Sequence, residues 1–208
     1  MNMIRVTILL FFSLFFTTVS AQEKDTILFF GDSITAGYGI DLNQAFPALI
    51  QEKIDSLGLP YDVVNAGLSG ETSAGGLRRV DWVMQQEVDI FVLELGGNDG
   101  LRGIDPQNTE KNLAGIIEKV RAADPDVKIL LTGMEAPPNL GQAYTSQFRQ
   151  LFRDVARQKN VHFLPFILDG VAGDPELNLP DGIHPTAEGH KILAENVWDS
   201  LRPMLDEE

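Results

Sequence analysis

From residue 26 onward, short apolar runs of strand length alternate with longer stretches whose apolar residues recur at helical spacing. After Thr26, the run Ile27-Leu28-Phe29-Phe30 is continuously apolar, as expected of a strand covered on both faces. Further strands are predicted at 61–65, 89–95, 127–132 and 161–164, and helices at 46–57, 73–86, 109–123, 142–159 and 187–201. In the first helix Phe46, Leu49, Ile50, Ile54 and Leu57 share a face, and Gly58 follows as a stop signal. The second turns Leu77, Val80, Val83 and Met84 inward, and the third Leu113, Ile116, Ile117 and Val120.

Strand then helix, five times over, predicts a flavodoxin-like three-layer α/β/α sandwich around a five-stranded parallel sheet. No linker divides the chain, so residues 22–208 are read as one domain. In such sheets ligands bind outside the carboxyl ends of the strands. The residues just after each strand are therefore where chemistry is sought.

Composition changes the picture mainly at the start of the chain. The 208 residues are 44% hydrophobic and 22% charged, an ordinary globular balance. Residues 1–21 differ: Arg5 precedes an apolar run from Val6 to Phe16, and Val19-Ser20-Ala21 supplies small residues before the polar Gln22-Glu23-Lys24. That order predicts a secretory signal peptide cleaved after Ala21, and hence a periplasmic or secreted protein with no membrane span once cleaved. The run is too short to cross a bilayer comfortably, which takes about 20 apolar residues. Losing Arg5 leaves 15 basic against 30 acidic side chains, a net charge of −15. A chain so acidic repels polyphosphate, so nucleic acid is excluded as an expected partner, and an anionic membrane surface is disfavoured. With no cysteine, disulfides, thiol nucleophiles and cysteine zinc sites are excluded.

Four polar loops sit where ligands should bind. Gly31-Asp32-Ser33-Ile34-Thr35 follows the first strand, the stretch from Asn65 to Ser73 the second, and Gly96-Gly97-Asn98-Asp99-Gly100 the third; Pro180-Asp181-Gly182-Ile183-His184-Pro185 precedes the last helix. Taken singly, each reads as turn or capping chemistry. The histidines differ in setting. His162 lies inside an apolar strand and is expected in the core, whereas His190, between Gly189 and Lys191, is expected to be solvated. His184 alone is in a loop with an acid three residues ahead. Asp181 so placed could accept the Nδ1 proton and leave Nε2 free to act as a base.

Together these loops resemble the SGNH, or GDSL, hydrolase family. Gly31-Asp32-Ser33 matches its first block, Gly70 its second, Gly97-Asn98-Asp99 its third and Asp181-Gly182-Ile183-His184-Pro185 its last, in family order from Gly31 to Pro185. The run from Val92 to Gly103, and Glu71-Thr72-Ser73 after Gly70, are similar to the subgroup of small periplasmic thioesterases, lysophospholipases and arylesterases. The resemblance implies acyl-serine chemistry on carboxylic esters or thioesters. Ser33 would be the nucleophile, His184 the base and Asp181 its orienting acid; the backbone N–H groups of Ser33 and Gly70 and the side-chain amide of Asn98 would form the oxyanion hole. It implies no metal and no cofactor. Ser33 is not in a Gly-x-Ser-x-Gly elbow, which argues for an open site.

Substrate choice rests on two loops, 100–106 and 134–144. Leu101, Ile104, Pro137, Pro138 and Leu140 would suit an alkyl groove. The expected partner is a small acyl ester and the chain is read as a monomer. Two other readings stay open: a carbohydrate O-acetyl esterase of the same family, and a secreted binding module without chemistry.

Overall fold

The computed structural model describes residues 24–205. The expected signal segment and its cleavage site lie outside the described residues. The elements run β1 (Asp25–Gly31), α1 (Ser33–Ala36), α2 (Phe46–Ser56), β2 (Tyr61–Asn65), α3 (Ser73–Val83), β3 (Ile90–Glu94), α4 (Gly97–Leu101), α5 (Pro106–Ala123), β4 (Lys128–Thr132), α6 (Gln142–Lys159), β5 (His162–Leu164) and α7 (Ala187–Leu201). All five strands pair in parallel in the order β2-β1-β3-β4-β5. Helices α3, α5 and α6 pack side by side, while α2 packs against α7. The architecture is the predicted three-layer sandwich.

The chain steps from β1 outward to β2, then returns past β1 to β3. Successive crossovers therefore leave in opposite directions between β1 and β3, and a crevice opens at their carboxyl ends. β1 and β3 are also both interior strands. Ile27 to Phe30 and Ile90 to Glu94 are buried, which explains why these runs lack the alternation of a half-exposed strand. The edge strand β2 exposes Asp62 and Asn65.

Local signals set the helix ends. α5 begins at Pro106, three residues before the predicted start: the Asp105 side chain accepts from the Gln107 N–H at 2.9 Å, and a first-turn proline forfeits no hydrogen bond. α3 stops at Val83, ahead of the predicted end, with Gln85 and Gln86 exposed.

Three expectations are corrected. Leu57 is not on the inner face of α2; it lies just past the helix and is exposed. His162 is exposed, not in the core, because β5 is a three-residue edge strand with one open side. His190 is the buried histidine, only 1% exposed. Its Nδ1 accepts the Phe46 N–H at 3.1 Å, and its ring stacks on Phe46 with centroids 6.1 Å apart. Phe46 opens α2, so its N–H has no partner within the helix; the imidazole supplies one. Burial, with the nearby His184 charge second, pushes the His190 pKa down to about 4.

Candidate active site

The turn from β1 into α1 holds Ser33. Gly31 pairs with Glu94 of β3. A Cβ on Gly31 would sit 2.0 Å from Thr35 Oγ1 and 2.5 Å from Glu94 Oε2, so only glycine lets the chain turn this tightly. Asp32 then caps α1, accepting from the Ile34 N–H at 3.0 Å. Ser33 is the first residue of α1, so its own N–H has no acceptor within the helix.

His184 Nε2 lies 2.9 Å from Ser33 Oγ, and His184 Nδ1 lies 2.7 Å from Asp181 Oδ2. Asp181 Oδ1 accepts from the N–H groups of Ile183 (2.9 Å) and His184 (3.0 Å), which folds the loop around the carboxylate. The His184 bond and these two N–H donors hold the Asp181 pKa down at about 2. The loop is tied at its base. The Leu179 N–H donates to His184 O at 2.7 Å, the Thr186 N–H to Leu177 O at 2.9 Å, and Asn178 Nδ2 to Val171 O and Asp174 O at 2.7 Å. The Tyr38 ring covers the imidazole, with centroids 4.5 Å apart and planes inclined by 40°.

Asn98 comes from α4, beyond β3. Its Nδ2 donates to Asp32 Oδ2 at 3.1 Å, and its Oδ1 accepts from Arg102 Nη2 at 3.3 Å. One amide proton is thus committed to Asp32 and the other is left over. Gly70, with φ +80°, accepts at its carbonyl from the same Arg102 Nη2 at 3.2 Å.

Two buried acids fix the surrounding loops. Asp99 is fully buried and accepts from the Ser73 N–H (2.8 Å), Ser73 Oγ (2.5 Å) and Thr109 Oγ1 (3.1 Å). One carboxylate so joins the starts of α3, α4 and α5, and sets the Gly70 loop relative to Asn98. Glu71 pairs with Arg79, whose Nη2 also reaches Ala66 O at 3.0 Å.

Glu94 lies beneath the Ser33 turn, 0% exposed. Its Oε2 accepts from the Asp32 N–H at 3.2 Å and Thr35 Oγ1 at 2.7 Å; its Oε1 has no hydrogen-bond partner among the described residues. Burial first, and then the Asp32 charge, push the Glu94 pKa well above the usual carboxylate range. Burial raises Asp32 to about 6, while the Ile34 and Asn98 donors and His184 pull it back. Both carboxyls are thus pushed above their ordinary range, chiefly by burial.

Ser33, Asp181, His184, Gly70 and Asn98 thus meet around one crevice, as the sequence reading required. The two loops expected to flank an acyl chain also meet. Tyr144 Oη donates to Ile104 O at 2.7 Å, and a Cβ on Gly103 would lie 3.9 Å from Leu140 Cδ2. Leu101 is 45% and Leu140 37% exposed, Pro138 is exposed, and Ile104 and Pro137 are half-buried. Sequence reasoning missed Tyr38, Arg102 and Glu94. Glu94 had a signal, an acid inside an otherwise apolar strand; Tyr38 and Arg102 had none beyond their place in the right loops.

Fold, crevice and side-chain constellation define a class, the acyl hydrolases with a strand-end serine. The sequence profile described as the GDSL-like Lipase/Acylhydrolase family matches residues 29–192, and the chain belongs to that family. It is 44% identical over 181 residues to Esterase TesA of Pseudomonas aeruginosa, covering 86% of this chain and 89% of the relative. It is 38% identical over 197 residues to Thioesterase 1/protease 1/lysophospholipase L1 of Escherichia coli strain K12, covering 94% and 92% of the two chains. A crystal structure of TesA superposes with a TM-score of 0.83 at 43% identity, over 87% of this chain and all of that one (100%).

Proposed function

We propose that this chain is a secreted serine esterase that hydrolyses esters or thioesters of acyl chains through an acyl-serine intermediate. The observation that carries it is the relay Ser33 Oγ, His184 Nε2 and Nδ1, Asp181 Oδ2, with steps of 2.9 and 2.7 Å. His184 takes the Ser33 proton as Oγ attacks the carbonyl carbon. Asp181, ionised, holds the imidazole in the tautomer with a proton on Nδ1 and stabilises the imidazolium that forms. The Ser33 N–H, the Gly70 N–H and the uncommitted proton of Asn98 Nδ2 receive the oxyanion. His184 then protonates the leaving oxygen or sulfur, and a water activated by the same imidazole releases the acid.

The acyl chain is assigned to the groove between Leu101 and Ile104 on one side and Pro137, Pro138 and Leu140 on the other. An apolar lining of this kind favours medium and long acyl groups over acetate. The N-terminal reading supports export after cleavage at Ala21, and among the described residues no helix is long and apolar enough to cross a membrane. The test is labelling of the mature chain by a fluorophosphonate, followed by turnover of p-nitrophenyl acetate and octanoate. Labelling is expected to vanish in Ser33→Ala along with turnover. A folded Ser33→Ala chain that still hydrolyses either ester sinks the mechanism, and strict acetate preference moves the substrate to O-acetyl groups.

A further inference from the structure

We propose that Arg102 is a positioning residue that locks two of the three oxyanion donors to each other. The inference rests on the oxyanion roles given above to Gly70 and Asn98. Gly70 follows β2 and Asn98 follows β3, and these strands are not neighbours, since β1 lies between them. Arg102, the residue that ends α4, spans that gap with one nitrogen. The two protons of its Nη2 go to Gly70 O at 3.2 Å and Asn98 Oδ1 at 3.3 Å. Both acceptors belong to residues of the crevice.

The consequence for Asn98 is specific. A side-chain amide presents two protons at one end and an oxygen at the other, and rotation by half a turn exchanges them. Turned the wrong way, Asn98 would aim oxygen lone pairs at a developing oxyanion. Asp32 Oδ2 accepts at the nitrogen end at 3.1 Å, and Arg102 donates at the oxygen end. Acceptor and donor select the same orientation from opposite sides, so the spare N–H faces the crevice before substrate arrives. That is the preorganisation on which oxyanion stabilisation depends. On the far side, the same guanidinium holds the carbonyl of Gly70, whose φ of +80° belongs to a flexible residue type.

The experiment is a double-mutant cycle of Arg102→Met and Asn98→Ala in the mature chain, with p-nitrophenyl butyrate as substrate. Because Arg102 touches the donors and not the ester, its loss is expected to fall on kcat with KM held within about twofold. A roughly tenfold fall in kcat is expected, less than the 100- to 1000-fold typical when a donor itself is removed. In the Asn98→Ala background the same change is expected to cost about threefold or less, since the amide it orients is gone. Arg102 is exposed, and an unchanged melting temperature in Arg102→Met verifies that the fold is intact. Wild-type kcat in Arg102→Met, a loss confined to KM, or an equal fold-loss in both backgrounds would each overturn the proposal. If Asn98→Ala alone leaves turnover unchanged, it is the oxyanion role of Asn98 that fails, and fluorophosphonate labelling of Ser33 still tests the serine mechanism separately.

Discussion

Replacing Asn98 by alanine tests the assembled site most directly. The change removes the Nδ2 donor assigned to the oxyanion and two bonds present at rest, to Asp32 Oδ2 at 3.1 Å and from Arg102 Nη2 at 3.3 Å. Loss of one preorganised donor costs about 2.7–4 kcal/mol of barrier, or roughly 100- to 1000-fold in turnover. Stability changes by a different route. The bond to Asp32 serves a buried carboxylate, and such charge-assisted bonds contribute about 1.5–3 kcal/mol. For a domain of this size that corresponds to a melting temperature lower by about 3–12 °C. The Arg102 bond is exposed and adds little. The assay is kcat for p-nitrophenyl butyrate at a temperature well below the transition, with circular dichroism to verify the fold. The expected result is a chain that is folded, slightly less stable and strongly impaired. Turnover within about fivefold of wild type in a folded variant would refute the role of Asn98 and weaken that of Gly70 with it.

Three further outcomes are expected. His190 is held neutral, its pKa lowered to about 4 from 6.5, so its contribution is present above pH 6.5 and drains away as pH falls toward 4. That amounts to about 3 kcal/mol over the window, and His190→Gln, compared by denaturant titration at pH 7 and pH 4.5, is expected to abolish it; an unchanged pH slope would contradict the buried neutral imidazole. For Glu94 the sign is opposite: its pKa is raised on folding, so stability is greatest below its ordinary value and falls as pH rises. Glu94→Gln is therefore expected to raise the melting temperature more at pH 8 than at pH 4.5, and an equal change at both would show that folding does not raise the Glu94 pKa. Leu140→Ser removes apolar surface from the proposed acyl groove, so kcat/KM for p-nitrophenyl octanoate is expected to fall about fivefold, from about 1 kcal/mol of lost burial, with acetate unaffected; equal losses on both esters would take Leu140 out of the groove.

The histidines show where sequence and structure part. His162 sits beside Val161, Phe163 and Leu164, and that apolar setting reads as core. Whether a strand side chain is buried depends on what covers its face, and β5 turned out to be a short edge strand. His190 has polar neighbours in sequence, but it shares a stripe with the buried Leu193, Ala194, Val197 and Leu201 at helical spacing. That signal was legible, and the adjacent Gly189 and Lys191 obscured it. The Phe46 N–H that makes the buried imidazole useful comes from residue 46, far away in sequence.

Much of the rest was written in local pattern. Apolar runs specified five strands, helical spacing specified the covering helices, and the alternation of the two specified a parallel sheet whose carboxyl ends carry the loops. Ser33 was legible because it directly follows a strand end, and His184 and Asp181 because a loop histidine has an acid three residues ahead of it. What the sequence did not reveal is how those loops are held to one another. Asp32 orienting Asn98, Arg102 reaching Gly70, Asp99 reaching Ser73 and the buried Glu94 beneath the serine turn are contacts between residues tens of positions apart. Hydrophobic periodicity reports which face of an element is buried. Only the packed sheet, with β1 set between β2 and β3, decides which donor meets which acceptor at its rim.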